Sequence, residues 1–202
     1  MEQILTEARI PEIIKCINKG KSGKTIIFTE YVTGITSQLR EAVTQEGYSY
    51  AEYTGSLKEY ERFCEGKAQV LIASRPIVIG IDGLQEVCDN IIINTLPWTN
   101  ARYQQLIGRL IRRGQAEKTV NVHIIKARLN GYPYDERMKW NRIIYKRTLA
   151  DCAVGGVMPI KNLATRSQAM KELEVWYDRL NRNELSIAER KDPEREINTR
   201  RD

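Results

Sequence analysis

Histidine and cysteine are scarce in this chain. Its 202 residues hold one histidine, His123, and four cysteines, Cys16, Cys64, Cys88 and Cys152. No two cysteines stand in a Cys-x-x-Cys pair, and with a single imidazole they make no credible zinc site. Thiols this sparse fit a reducing compartment. Long apolar runs are missing too. The opening residues, MEQILTEARI, contain no stretch of signal-peptide length. The most apolar region, Val70–Leu96, is broken by Arg75, Pro76, Asp82, Glu86 and Asp89, so it does not span a membrane. No internal repeat is visible. The expectation is a soluble intracellular protein, cytoplasmic or, in a eukaryote, nuclear, without a membrane partner.

What is present suits a packed domain. Hydrophobic residues make up 42% of the chain and charged residues 29%, with a net charge of +6. That balance permits an acidic partner such as nucleic acid. Five short runs rich in Ile and Val read as strands buried on both faces: Thr25–Thr29, Tyr48–Tyr53, Gln69–Ala73, Asn90–Asn94 and Val120–Lys126. Helical segments alternate with them: Pro11–Lys19, Ile35–Glu46, Leu57–Glu65 and Asn100–Arg113, each followed by glycine. Such alternation predicts an α/β fold with a parallel sheet and right-handed crossovers. It ends near Arg128. Beyond the NGYPY loop, Asp135–Asp151 and Ser167–Arg182 read as helices. Glu189–Asp202 is nearly all polar and reads as a loose tail.

The stretch GKSGKT, Gly20–Thr25, looks like a phosphate-binding loop but lacks its setting. The first glycine of G-x-x-x-x-G-K-[ST] would fall at Asn18. A helix precedes the stretch and a strand follows it, the reverse of the order that places phosphates on a helix N-terminus. It reads as a solvated turn. No other such loop exists, and no Asp-Glu pair follows a strand to hold magnesium.

The informative segment is NARYQQLIGRLIRRGQ, Asn100–Gln115. On a helix, Gln105, Arg109 and Arg112 share one face, with Tyr103, Leu106, Ile107, Leu110 and Ile111 opposite. Two guanidiniums one turn apart can grip an anion with planar donors that stay charged. The same pattern also suits the wet face of an amphipathic helix. Gly108 in mid-helix costs roughly 1 kcal/mol against Ala, which suggests a close approach to the backbone there.

The surrounding residues add to this. Val70–Gln85 gives a strand, Ser74, then Gly80-x-Asp82, and LPWTN precedes the arginine segment. In this order the motifs resemble the C-terminal RecA-like lobe of a superfamily-two helicase, closest to Swi/Snf-type DNA translocases. Ser74, Gly80 and Asp82 resemble the family's motif V, and Gln105, Arg109 and Arg112 its motif VI. Gly114–Gln115 and Trp98 resemble features of the Swi/Snf branch. IIFTEY resembles motif IV, and YTGSLKEYERF the family's Gly-Ser turn and helix. Arg75–Pro76 departs from the acidic or small residues usual after the motif V hydroxyl.

The resemblance covers roughly Lys21–Lys126. It implies a RecA-like parallel sheet flanked by helices over 1–130, a helical brace over 131–188 and a polar tail over 189–202. It implies Arg109 and Arg112 as arginine fingers with Gln105 on the γ-phosphate face. Gly80 and Asp82 would lie near the nucleotide ribose, and Ser74, Thr54 and Gly55 would contact nucleic acid. The cofactor would be ATP with Mg2+, held mainly by an N-terminal RecA-like lobe carrying the P-loop. The other partner would be double-stranded DNA. The chain alone would be an inactive half of an ATPase.

Other readings stand beside these. Asp82 can cap a helix, Ser74 can satisfy local backbone, Trp98 can anchor its loop, and His123 can be structural. Lys139, Arg142, Lys146 and Arg147 form a basic helix face that tracks phosphates or is merely solvated. Ala169, Leu173, Trp176 and Leu180 form an apolar stripe that must dock on something. The competing function is a RecA-like module kept only for binding nucleic acid or protein.

Overall fold

The computed structural model describes residues 1–128, 131–155 and 166–182. The chain divides into two compact units, the first Met1–Ile125 and the second beginning at Lys126. In the first unit, β1 (Thr25–Phe28), β2 (Tyr50–Tyr53), β3 (Val70–Ala73), β4 (Asn90–Ile93) and β5 (Asn121–Ile124) form one sheet in the order β2-β3-β1-β4-β5. Every pairing is parallel. Each strand falls inside the apolar run that predicts it.

Strand side chains alternate between the two faces of the sheet. On one face Ile27, Val70, Ile72 and Ile92 pack with Ile13 and Ile17 and with Ile35, Leu39 and Val43. Those partners come from α1 (Glu2–Cys16), the short 3-10 turn after it (Ile17–Lys19), and α2 (Ile35–Gln45). The alternate residues, Ile26, Phe28, Leu71, Ala73, Ile91 and Ile93, are also buried. They belong to the face on which α3 (Tyr60–Cys64) meets β2 and β3. A sheet covered on both sides explains why β1, β3 and β4 read as continuous apolar runs.

Helix α1 begins well before Pro11, which lies inside it rather than at its start. Its buried residues are Leu5, Thr6, Arg9 and Ile13. Two of these are polar, so no apolar period announces the helix. Thr6 accepts from Asn94 Nδ2 at 3.1 Å and Arg9 pairs with Glu2 at 3.5 Å. Two short helices that the sequence reading does not contain, α4 (Pro76–Gly80) and α5 (Leu84–Val87), flank Asp82. Each has a turn or so of residues, too few to carry a periodic signal.

The GKSGKT stretch joins the 3-10 turn to β1. Its backbone cradles an anion, but that anion is the chain's own Asp89. Lys21 N and Ser22 N donate to the Asp89 carboxylate at 2.7 and 3.2 Å, and Ser22 Oγ at 2.6 Å. Burial pushes the Asp89 carboxyl up, but the Ser22 and Lys21 hydrogen bonds outweigh it and hold the group below its ordinary value. A Cβ on Gly20 would lie 2.4 Å from Asp89 Oδ1, so only glycine fits against this contact. Lys24, where a P-loop carries its phosphate lysine, instead donates to the Phe63 and Cys64 carbonyls at 2.7 and 3.1 Å, capping the end of α3.

In the second unit a π-helical turn (Glu136–Trp140) runs into α7 (Asn141–Gly155), and α8 spans Arg166–Asn181. Tyr132, Met138 and Leu173 form a small core with Tyr134 against it. The α8 stripe thus docks within this unit through Leu173. The side chains of its other three members lie outside the described residues, as does the 189–202 tail. Lys139 is 2% exposed. It therefore drops out of the basic face expected with Arg142, Lys146 and Arg147.

Candidate nucleotide and nucleic-acid site

Ligands of open parallel sheets bind beyond the carboxyl ends of the strands. Two neighbouring sets of residues gather there. The first is built by α6 (Asn100–Ile107) and the segment after it. Thr99 caps α6, its side chain accepting from Arg102 N at 3.3 Å. The helix stops at Ile107, well short of the expected Arg113. Gly108 follows, and Arg109 N and Leu110 N bond three residues back, to Leu106 and Ile107, tightening the final turn. A Cβ on Gly108 would meet the Gln104 carbonyl at 2.9 Å. The close approach at this glycine is therefore the chain's own preceding turn.

The early stop changes how the predicted trio is supported. Gln105 is on α6 and exposed, whereas Arg109 and Arg112 are on the turns beyond it. They do not share one helical face. Leu106 and Leu110 are buried as expected, but Ile111 is 55% exposed because the helix that would have turned it inward has ended. Gln115 Nε2 donates to the Leu110 and Cys88 carbonyls at 2.9 and 3.2 Å and fixes the loop.

Arg109 points inward. Its Nε and Nη2 donate to the Val78 carbonyl at 3.2 and 2.5 Å, and its Nη1 to the Ile81 carbonyl at 3.0 Å. Val78 lies in the last turn of α4, where carbonyls lack helical partners, so a guanidinium there acts as a C-terminal cap. Arg112 Nη1 reaches Asp82 Oδ1 at 2.5 Å, and Arg109 Nη1 lies 3.8 Å from the same oxygen. Asp82 is 80% exposed at its side chain. Tyr60 donates its hydroxyl to the Asp82 carbonyl beneath it. Burial is the largest cause raising the Tyr60 phenol, so it stays a donor. Gly80 is exposed, and a Cβ there would meet nothing within 4 Å.

The second set lines a surface cavity of about 660 Å³ whose walls include Glu30, Thr33, Gly55, Ser74 and Arg75. Ser74 is 2% exposed and Thr54 1%. Thr54 Oγ1 accepts from Leu57 N at 3.3 Å, holding the turn that presents the exposed Gly55. Trp98 Nε1 donates to the Tyr31 hydroxyl at 3.1 Å, which gives this ring an anchoring contact. The structure thus brings Arg109, Arg112 and Asp82 together, and Gly55 with Ser74. It shows no contact joining Gln105 to either group among the described residues. Motif spacing carries no sign that Arg109 caps α4 or that Glu30, Arg75 and Arg102 form a cluster, because those partners are distant in the chain.

Among the described residues no group of three or more His, Cys, Asp or Glu side chains is placed to hold a metal ion. Among them, too, no helix is long and apolar enough to cross a membrane.

Residues 8–114 match the family described as helicase conserved C-terminal domain. A curated relative, the uncharacterized ATP-dependent helicase YqhH of Bacillus subtilis (strain 168), is 30% identical over 142 residues. That match covers 62% of this chain and 25% of the relative, so the chain spans only about a quarter of that protein's length. The C-terminal domain of the DEAD-box protein Dbp5 superposes with a TM-score of 0.50 at 20% identity, over 74% of this chain and 80% of that one. The C-terminal part of the Fun30 ATPase domain gives 0.49 at 21% identity, over 59% and 40%, and carries no functional weight. At such identities structural likeness speaks to the fold alone. The family match spans more than half of the chain and takes in β1 to β4 and both arginines, Arg109 and Arg112: this chain belongs to the helicase conserved C-terminal domain family, as a RecA-like C-terminal lobe of superfamily two.

Proposed function

We propose that this chain is the second motor lobe of an ATP-dependent DNA translocase or helicase of Swi/Snf type. The observation that supports this best is the convergence of two guanidiniums on one anionic oxygen. Arg112 and Arg109 lie 2.5 and 3.8 Å from Asp82 Oδ1. Cations that can share a carboxylate oxygen can share a phosphate oxygen in its place. The exchange costs Arg112 little, because an exposed ion pair contributes about 0–1 kcal/mol. Arg109, held by backbone carbonyls, keeps its head in position throughout.

In this reading ATP and its Mg2+ are held mainly by an N-terminal lobe carrying a P-loop, and the metal there neutralises phosphate charge. Arg109 and Arg112 act as fingers that stabilise charge on the transferring phosphoryl group, a contribution of about 10³–10⁵ in rate. Gln105 helps to order the γ-phosphate face, and Gly80 with Asp82 borders the ribose. The open backbone at Gly80 leaves room for it. Ser74, Thr54 and Gly55 contribute to the track for double-stranded DNA, and lobe closure on ATP moves that track.

The competing reading is a RecA-like module that only binds. It draws on the three hydrogen bonds that make Arg109 a cap for α4. Joining this chain to its P-loop lobe and measuring ATP hydrolysis with duplex DNA, with RNA and with neither separates the two. DNA-stimulated turnover by the joined lobes, and negligible turnover by this chain alone, supports the motor. Robust turnover by the chain alone contradicts it. A joined protein that binds DNA without turnover is the binding module.

A further inference from the structure

Glu30 follows β1, and its side chain is only 1% exposed. A buried carboxylate needs compensating charge. Here two arginines supply it, and both use the same oxygen. Arg75 Nε donates to Glu30 Oε1 at 2.8 Å and Arg102 Nη1 at 3.3 Å. Their donor nitrogens are therefore no more than about 6 Å apart. Glu30 Oε2 is closed to solvent and has no hydrogen-bond partner among the described residues. The three residues come from three elements: the end of β1, the turn between β3 and α4, and the first turn of α6.

The cluster is not satisfied by its own contacts. One carboxylate against two guanidiniums leaves a net charge of +1. Each guanidinium carries five N–H donors and commits one of them to Glu30. The arginine side chains are 54% and 49% exposed, so solvent or a ligand can reach both of them. Glu30 and Arg75 also line the cavity that Ser74 and Gly55 line. A pair of forked cations anchored to one buried anion suits an oxyanion better than a solvated surface requires.

We propose that Glu30 presets Arg75 and Arg102 as a clamp for one phosphodiester group of a nucleic-acid backbone at the rim of this cavity. This rests on the nucleic-acid reading of the lobe. The net charge of the cluster matches the single charge of a phosphodiester, and the cavity shared with Ser74 and Gly55 gives the adjoining strand room. A free phosphate shares the chemistry but leaves that room unused.

The test is binding of the 202-residue chain to a fluorescent duplex oligonucleotide across a salt series, with thermal melts to confirm folding. The double variant Arg75→Ala/Arg102→Ala changes two half-exposed side chains. It should bind about tenfold more weakly, and its plot of log affinity against log salt should be shallower by about 0.9, the loss of one phosphate contact. Glu30→Gln gives a test of sign. Removing a negative charge would by itself tighten binding, whereas losing the anchor should weaken it about threefold or more. Millimolar inorganic phosphate should displace the duplex no better than chloride of equal ionic strength.

An unchanged slope in the double variant overturns the clamp while leaving the nucleic-acid reading intact. So does tighter binding by folded Glu30→Gln, or specific displacement by phosphate. A wild-type chain that binds no duplex at low salt overturns the nucleic-acid reading, and the clamp falls with it.

Discussion

Replacing Asp89 tests whether GKSGKT is a structural turn that binds its own carboxylate. Asp89 is 0% exposed and accepts three hydrogen bonds from Lys21 N, Ser22 N and Ser22 Oγ. Each hydrogen bond to a charged group contributes about 1.5–3 kcal/mol net. Lys21 is exposed and Ser22 half-buried, so water can replace part of what is lost. Asp89→Ala should therefore cost about 3–4 kcal/mol, well below the sum of three full contributions. Asp89→Asn keeps one acceptor oxygen and the shape, and should cost about half as much. For a chain of this size each kcal/mol lowers Tm by about 2–4 °C, so the alanine variant should melt about 10 °C below wild type.

The pH dependence has a defined sign. The Asp89 carboxyl is held below its ordinary value of 3.8 in the folded chain. Its stabilisation is complete above that value and is lost as pH falls through the lower folded one. Differential scanning calorimetry of wild type and both variants between about pH 3 and 7 measures both effects, the acid limb being flatter in the variants. An alanine variant that melts within 1 °C of wild type, or that loses nucleotide binding without losing stability, would refute the structural assignment.

Two further predictions concern stability and local geometry. Burial, then the nearby Lys19 charge, lowers His123 below its ordinary 6.5. The neutral form is thus favoured in the folded chain, and stability should fall as pH drops below 6.5 toward the folded value; His123→Gln should flatten that window in a urea titration series. Gly108→Ala would place its Cβ 2.9 Å from the Gln104 carbonyl. Although alanine favours helix, the variant should be less stable by about 1 kcal/mol, and a gain in stability would show that this turn relaxes freely.

Much of the sheet was legible because burial on both faces writes an unbroken apolar run. Val70–Ala73 and Asn90–Ile93 are such runs, and their boundaries move by only a residue or two. Helix ends were less legible. The α1 stripe contains Thr6 and Arg9, whose burial depends on Asn94 and Glu2, so the start of the helix was invisible to a hydrophobic period. At α6, apolar spacing persists through Leu110 and Ile111, but Gly108 and the Gln115 contacts end the helix earlier. Motif spacing singles out the candidate residues but not the contacts that support them. Arg109 and Arg112 meet at Asp82 through a loop, and their partners Val78, Ile81 and Asp82 lie about thirty residues away in sequence. Only the fold brings such contacts together.

In the proposed motor these two guanidiniums serve a triphosphate held by another lobe. The most direct measurement is kcat for DNA-stimulated ATP hydrolysis by the joined lobes carrying Arg112→Ala or Arg109→Ala, with melting curves to separate the capping role of Arg109 from chemistry. Folded Arg112→Ala should lose about 10³-fold or more in kcat, with DNA affinity retained. A kcat within twofold of wild type in both variants would contradict it.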